Sequence, residues 1–204
     1  MKVCGFVGSP RKQGNSDILV ERFLEGAAAS QAVTKKFFLA DLNINQCRGC
    51  YANCMFQPGF RCAVFRDDMD MLMDEIASGD LFIFASPLYC SCYSAIMARF
   101  FERLLPFWHV EPGDGEPGTP GAFRFLNNPA KGKKAVIALV QDLKDPAVGK
   151  LALDIFEHNV AKTYMMDIAG RLQVTDVRSR GDIVKKLTVL QDVFNMGKKL
   201  AEDS

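Results

Sequence analysis

A short apolar run, Val3-Cys4-Gly5-Phe6-Val7, breaks into Gly8-Ser9-Pro10-Arg11-Lys12-Gln13-Gly14-Asn15-Ser16 and then into a helical pattern that starts near Asp17. A strand that feeds a glycine-containing loop and opens a helix commits the chain to a layered α/β arrangement. The loop also has the makings of a phosphate cradle. Its two glycines and Pro10 let backbone N–H groups converge at a helix N-terminus, where free amides and the macrodipole favour an anion. Arg11 adds a forked, charge-assisted donor, and Ser9, Asn15 and Ser16 add neutral ones. A capped turn alone would need only Asn15 or Ser16. The loop lacks the Gly-Lys-Ser or Gly-Lys-Thr ending of a Walker motif. Gly5, Gly8 and Gly14 also miss the GxGxxG spacing, so the loop reads as a phosphate site of a third kind.

The rest of the chain alternates strand and helix patterns. A helix over about 16–28 carries Leu19, Val20, Phe23, Leu24 and Ala27 on one face, with Gly26 blurring its end; a strand over about 33–40 follows. Gly49, Pro58 and Gly59 mark 43–66 as loop. Asp67 and Asp68 open the next helix, where Met69, Leu72, Met73 and Ile76 form a core stripe to about 78. The run over 80–86 reads as a central parallel strand, and it ends in Pro87-Leu88-Tyr89-Cys90-Ser91-Cys92. A helix with Ile96, Met97, Phe100, Phe101, Leu104 and Leu105 on its buried side comes next. Residues 106–132, rich in Gly and Pro, form a structureless insertion. A strand over 134–140, a helix over 146–164 that buries Val148, Leu151, Ala152, Ile155, Phe156 and Val160, an interrupted strand over 165–175 and a helix over 181–201 complete the pattern.

Five strands alternating with five helices predict a flavodoxin-like three-layer sandwich with a five-stranded parallel sheet in the order 2-1-3-4-5. With no internal repeat, 1–204 reads as a single domain. In that order the loops after strands one and three lie side by side at the switch point, so Gly8–Ser16 and Pro87–Cys92 share one crevice.

Charge and length exclude several partners. With 25 basic and 24 acidic residues the net charge is +1, and no basic stripe interleaved with aromatics points to nucleic acid. Apolar runs such as Leu81–Ala85 are strand-sized, too short to span a membrane. Met1–Val7 is too short for the hydrophobic region of a signal peptide, so a cytoplasmic location is expected. Seven cysteines, an odd number, fit reduced thiols better than a disulfide framework. Four of them form Cys47-x2-Cys50-x3-Cys54-x7-Cys62, a set of soft donors able to hold an iron-sulfur cluster or a tetrahedral zinc, or to stay as packed thiols.

The combination of Gly8-Ser9-Pro10-Arg11 with Gly14-Asn15-Ser16, the cysteine stretch leading into Asp67-Asp68-Met69, and Ser86-Pro87-Leu88-Tyr89 resembles the NADPH-dependent FMN reductase and iron-sulfur flavoprotein group. The resemblance extends through Phe101-Glu102-Arg103, roughly the first half of the chain. It implies that Ser9, Arg11, Asn15 and Ser16 hold the FMN phosphate, in the backbone frame set by Pro10 and Gly14. Pro87, Leu88, Tyr89, Cys90 and Ser91 would line the flavin ring. It further implies a [4Fe-4S] cluster on Cys47, Cys50, Cys54 and Cys62, although the spacing between Cys50 and Cys54 is one residue longer than in the usual compact motif. Cys90 stands where many members carry an aromatic, and Gln141-Asp142-Leu143 stands where they carry a glycine-rich loop. A homodimer or homotetramer is implied as well. The expected function is an FMN-dependent oxidoreductase that passes electrons from NAD(P)H to a quinone, flavin, metal or iron-sulfur acceptor. The competing readings are an electron carrier or redox sensor without nicotinamide activity, and a NAD(P)-binding enzyme with Asp41 on the ribose.

Overall fold

Three continuous apolar runs settle side by side because each can be buried on both faces only in the middle of a parallel sheet. This computed structural model describes residues 1–50, 52–57 and 59–203, with the side chains of all but 52, 53 and 120. In chain order the elements are β1 (Lys2–Val7), α1 (Asn15–Ala29), β2 (Val33–Phe38), α2 (Ala52–Met55), α3 (Met69–Ser78), β3 (Leu81–Tyr89) and β4 (Cys92–Tyr93). They continue with α4 (Ala95–Glu102), β5 (His109–Pro112), β6 (Phe123–Asn127), β7 (Lys134–Val140), α5 (Ala147–His158), β8 (Asp167–Val174) and α6 (Leu187–Glu202). The main sheet runs β2-β1-β3-β7-β8, all parallel. This is the expected 2-1-3-4-5 order and gives a flavodoxin-like fold.

Side chains alternate across the sheet and fill two cores. Cys4, Phe6, Phe82, Phe84 and Ile137 pack with Met69, Leu72, Met73, Ile76, Phe100 and Phe156 on the face of α3, α4 and α5. Val3, Val7, Leu81, Ile83, Ala85 and Val136 pack with Leu19, Val20, Phe23 and Val193 on the face of α1 and α6. The α1–α6 crossing explains Gly26. A Cβ there would sit 2.0 Å from the Phe194 carbonyl oxygen, and one on Gly197 would sit 2.1 Å from that of Phe23. Both glycines let the two backbones touch.

Several expectations change on folding. The stretch 106–132 is not structureless, because β5 and β6 pair as an antiparallel ribbon. The stretch 43–66 contains one helical turn, α2, and the loop reading of Pro58 lies outside the described residues. Strand three does not stop at Ser86. It continues through Tyr89 and folds back on β4 through Cys90 and Ser91, whose φ values of 48° and 60° suit a tight hairpin turn. Helix α5 is rotated from the expected register. Gly149, Ala152, Leu153 and Phe156 are buried while Val148, Leu151 and Ile155 are exposed. The interruption in β8 is a register shift opposite Ala135 and Val136.

Asp67 does more than open a helix. Its carboxylate takes two hydrogen bonds from Arg103, at 2.7 and 3.0 Å, and others from the backbone and side chain of Asn45. Both side chains are almost wholly buried. Burial alone would raise the Asp67 pKa, but Arg103 and Asn45 outweigh it and hold the group at about 2, against 3.8 normally. A depressed folded pKa stabilises the fold above the unfolded value, and the contribution is lost as pH falls through the folded one. Urea unfolding of the native chain should therefore become easier as pH falls from about 4 to about 2. Asp67→Asn should lose about 3 kcal/mol near neutral pH, because it strands a buried guanidinium, and should flatten that acid limb.

Candidate functional site: one cavity at the carboxyl edge of the sheet

Parallel strands send all their carboxyl ends to one edge, and here the loops are stitched together there. The Gly8 N–H donates to the Ala85 carbonyl at 2.8 Å, and the Ser94 hydroxyl donates to the Gly8 carbonyl. Ser86, fully buried, accepts from the Ser94 N–H at 2.8 Å. The loops after β7 and β8 are joined by Gln141 N–H to Val174 carbonyl (2.8 Å) and Val177 N–H to Gln141 carbonyl (3.2 Å). Between them lies a cavity of about 200 Å³. Ser9, Arg11, Gly14, Asn15 and Ser16 line one end, and Pro87, Leu88 and Tyr89 another. Val140, Asp142, Val177, Arg178 and Arg180 complete it.

The first loop is arranged around open donors. The Ser9 hydroxyl accepts from the Arg11 N–H at 3.2 Å, and the Arg11 carbonyl accepts from Gly14 at 3.0 Å. Asp17 accepts from the Gln13 N–H at 2.7 Å. The residue before α1 is Gly14, and no side chain caps the helix. Neither Asn15 nor Ser16 serves as the N-cap, which leaves the first turn of α1 without a side-chain acceptor where Gly14, Asn15 and Ser16 line the cavity.

Asn15 has another occupation. Its side-chain nitrogen donates to the carbonyls of Val177 (3.3 Å) and Ser179 (3.0 Å), and its oxygen accepts from the Ile183 N–H (3.1 Å). Residues 177–183 thus form a strap tied to the start of α1. With its side-chain amide committed, Asn15 offers the cavity its backbone. Pro10, Cys90 and Ser91 are exposed and do not line the cavity. Asp142, in the loop that the resemblance marked after strand four, lines the cavity, and the lining residues that sequence reading missed are Val140 at the end of β7 and Val177, Arg178 and Arg180 after β8. The sheet order brings both loops to this edge, and Arg178-Ser179-Arg180 is the signal that could have been read.

The four clustered cysteines converge on a second, smaller recess. Cys47, Cys50, Cys54 and Cys62 line it with Arg48, Phe65, Glu102 and Arg103. Burial pushes the Cys54 thiol up to about 11, and Cys50, Cys62 and Cys47 add to the shift. Arg48 and Arg103 each place a guanidinium 5.1 Å from the Phe65 ring. Among the described residues no three His, Cys, Asp or Glu side chains stand as a group that could hold a metal ion. Four thiols are the donor type that iron-sulfur clusters and zinc sites use, and here Arg48 and Glu102 stand beside them with Arg103 paired to Asp67. Helix α4 links the two places, from its cap Ser94, buried and bonded to the Gly8 carbonyl, to Glu102 and Arg103 at the second.

Asn15→Ala removes all three strap bonds and strands the Ile183 N–H. Stability should fall by about 2 kcal/mol, read by urea unfolding, and amide exchange over 179–183 should accelerate.

The family model of NADPH-dependent FMN reductase matches residues 1–145. The chain is 37% identical over 118 residues to an iron-sulfur flavoprotein of Archaeoglobus fulgidus, covering 58% of this chain and 52% of that one. It is 35% identical over 106 residues to an iron-sulfur flavoprotein of Methanocaldococcus jannaschii, covering 52% and 53%. The chain thus spans about half the length of the curated relatives it matches. Among solved structures, a flavone reductase superposes with a TM-score of 0.70 at 17% identity, covering 99% of this chain and 62% of the other, a likeness of fold. With the family model matching most of its length, the chain belongs to the NADPH-dependent FMN reductase family.

Proposed function

We propose that the chain is a single-domain FMN-dependent oxidoreductase that takes electrons from NAD(P)H and delivers them to a quinone, flavin, metal or iron-sulfur acceptor. One observation carries this reading: a single cavity joins the uncapped first turn of α1 to the Pro87–Tyr89 segment. The chemistry of its donors fits FMN. Ser9, Ser16, Arg11 and the backbone at Gly14 and Asn15 would hold the phosphate, with Pro10 shaping the turn. Pro87, Leu88 and Tyr89 would flank the ring, and the β3–β4 hairpin with Cys90 and Ser91 at its turn would support them. Bound FMN would supply hydride acceptance and stepwise electron release, while the protein supplies position and field. Val140 would close the apolar side, and Ser86 would fix the Pro87 segment through the Ser94 N–H. Tyr89, 41% exposed, leaves the ring's outer side open for nicotinamide and acceptor in turn.

The cysteine recess supports a second redox centre. Cys47, Cys50, Cys54 and Cys62 would hold a [4Fe-4S] cluster, which supplies one-electron transfer. The names of the two iron-sulfur flavoprotein relatives support this. With both centres loaded, the alternative role as an electron carrier or redox sensor becomes the second reading, favoured by the cations beside the thiols. A homodimer or homotetramer in the cytoplasm is the working assembly. Among the described residues no helix is long and apolar enough to cross a membrane.

Titration of the purified chain with FMN, followed by quenching of flavin fluorescence, tests the reading. The expected result is saturable one-to-one binding, weakened roughly tenfold or more in Arg11→Ala. Failure to bind FMN would end it. Rapid NADPH oxidation with a generic acceptor favours the enzyme; fast exchange with a ferredoxin and slow nicotinamide turnover favours the carrier.

A further inference from the structure

Three arginines line the cavity: Arg11, Arg178 and Arg180. None of their guanidiniums has an ion-pair or hydrogen-bond partner among the described residues. Elsewhere the chain pairs its arginines readily, as in Arg103 with Asp67, Arg61 with Asp74, Arg124 with Glu111 and Arg171 with Asp154 and Glu157. Unpaired guanidiniums gathered in one concavity mark a place prepared for an anion. Asp142 is the one acidic residue on the lining, so the side chains carry a net charge of three minus one, or +2. A phosphomonoester carries about −1.5 to −2 at neutral pH, so the lining matches one such group.

Arg178 and Arg180 are exposed, but the backbone that carries them is fixed. Asn15 ties Val177, Ser179 and Ile183 to the start of α1. Asp182 accepts from the Ser179 N–H at 2.6 Å, Gly181 turns the strap at a φ of 79°, and Ile183 is fully buried. A held backbone lowers the entropic cost of placing the two cations on a ligand. The family match ends at residue 145, so the strap lies outside it.

We propose that Arg178 and Arg180 are the specificity-determining residues that select a flavin ending in a phosphomonoester over one without it, acting on the phosphate together with Arg11. The inference rests on the FMN reading above and assigns its charge selection to the strap.

The test measures dissociation constants for FMN and for riboflavin by fluorescence quenching, in the native chain and in Arg178→Gln, Arg180→Gln, the double variant and the double Lys variant. Both side chains are exposed, and melting curves check folding. FMN binding should weaken roughly tenfold in each single variant and about a hundredfold in the double. Riboflavin binding should stay unchanged, and Lys should restore part of the loss. The salt dependence of FMN binding should also shrink in the double variant. An unchanged FMN-to-riboflavin ratio, or an equal loss for both flavins, would overturn the proposal while leaving the FMN reading intact. A rise in the KM for NADPH with that ratio unchanged would assign the arginines to the dinucleotide, and also overturn it. If the native chain binds neither flavin, the FMN reading itself falls, and the inference with it.

Discussion

Asn15 holds the candidate site together. Its amide joins the first residue of α1 to a strap more than 160 positions away in sequence, through two donated hydrogen bonds and one accepted. These bonds do two things at once. They commit the Asn15 side chain away from a local helix cap, so the first turn of α1 has no side-chain cap, and they hold the loop after β8 beside the start of α1. A conventional cap at this position would satisfy the helix and leave the anion site weaker. The chain instead stabilises the helix start through the strap.

The sheet makes that connection available. Parallel pairing carries the ends of β1, β3, β7 and β8 to one edge, and the backbone bonds from Gly8 to Ala85 and from Gln141 to Val174 lock the loops in register. Close backbone contact at Gly26 and Gly197 sets α6 against α1, which places the strap preceding α6 beside the first loop. A packing constraint on the far side of the sheet thus bears on the geometry of the site. Helix α4 carries a second consequence of the same order. Its start is anchored at Gly8 and its end delivers Arg103, paired with Asp67, to the cysteine recess.

Much of this was legible in the sequence, because Leu81–Ala85 and Ala135–Val140 are buried on both faces and so are apolar throughout. The first loop was legible for a different reason: glycine, proline and small hydroxyl residues at a strand end have few other uses. The ribbon β5–β6 was hidden because every residue of β6 is exposed and no core imposes an alternation on it. Helix α5 misled because it presents Val148, Leu151 and Ile155 outward, so its apolar pattern is wider than its buried face. The strap arginines left a local trace in Arg178-Ser179-Arg180, but the partners of Asn15 were out of reach of local reasoning, since they depend on contacts between the two ends of the chain. The four cysteines were visible as a set, and the fold brings them to one recess.

The central claim is that the uncapped start of α1, Arg11 and the strap together form the phosphate pole of a flavin cavity. A crystal structure of the chain soaked with FMN tests it most directly. The account predicts the phosphate at the first turn of α1, within hydrogen-bond distance of Ser9 or Ser16 and facing Arg11, with the ring beside Pro87–Tyr89. A phosphate found away from α1, or a flavin lodged outside this cavity, would contradict it.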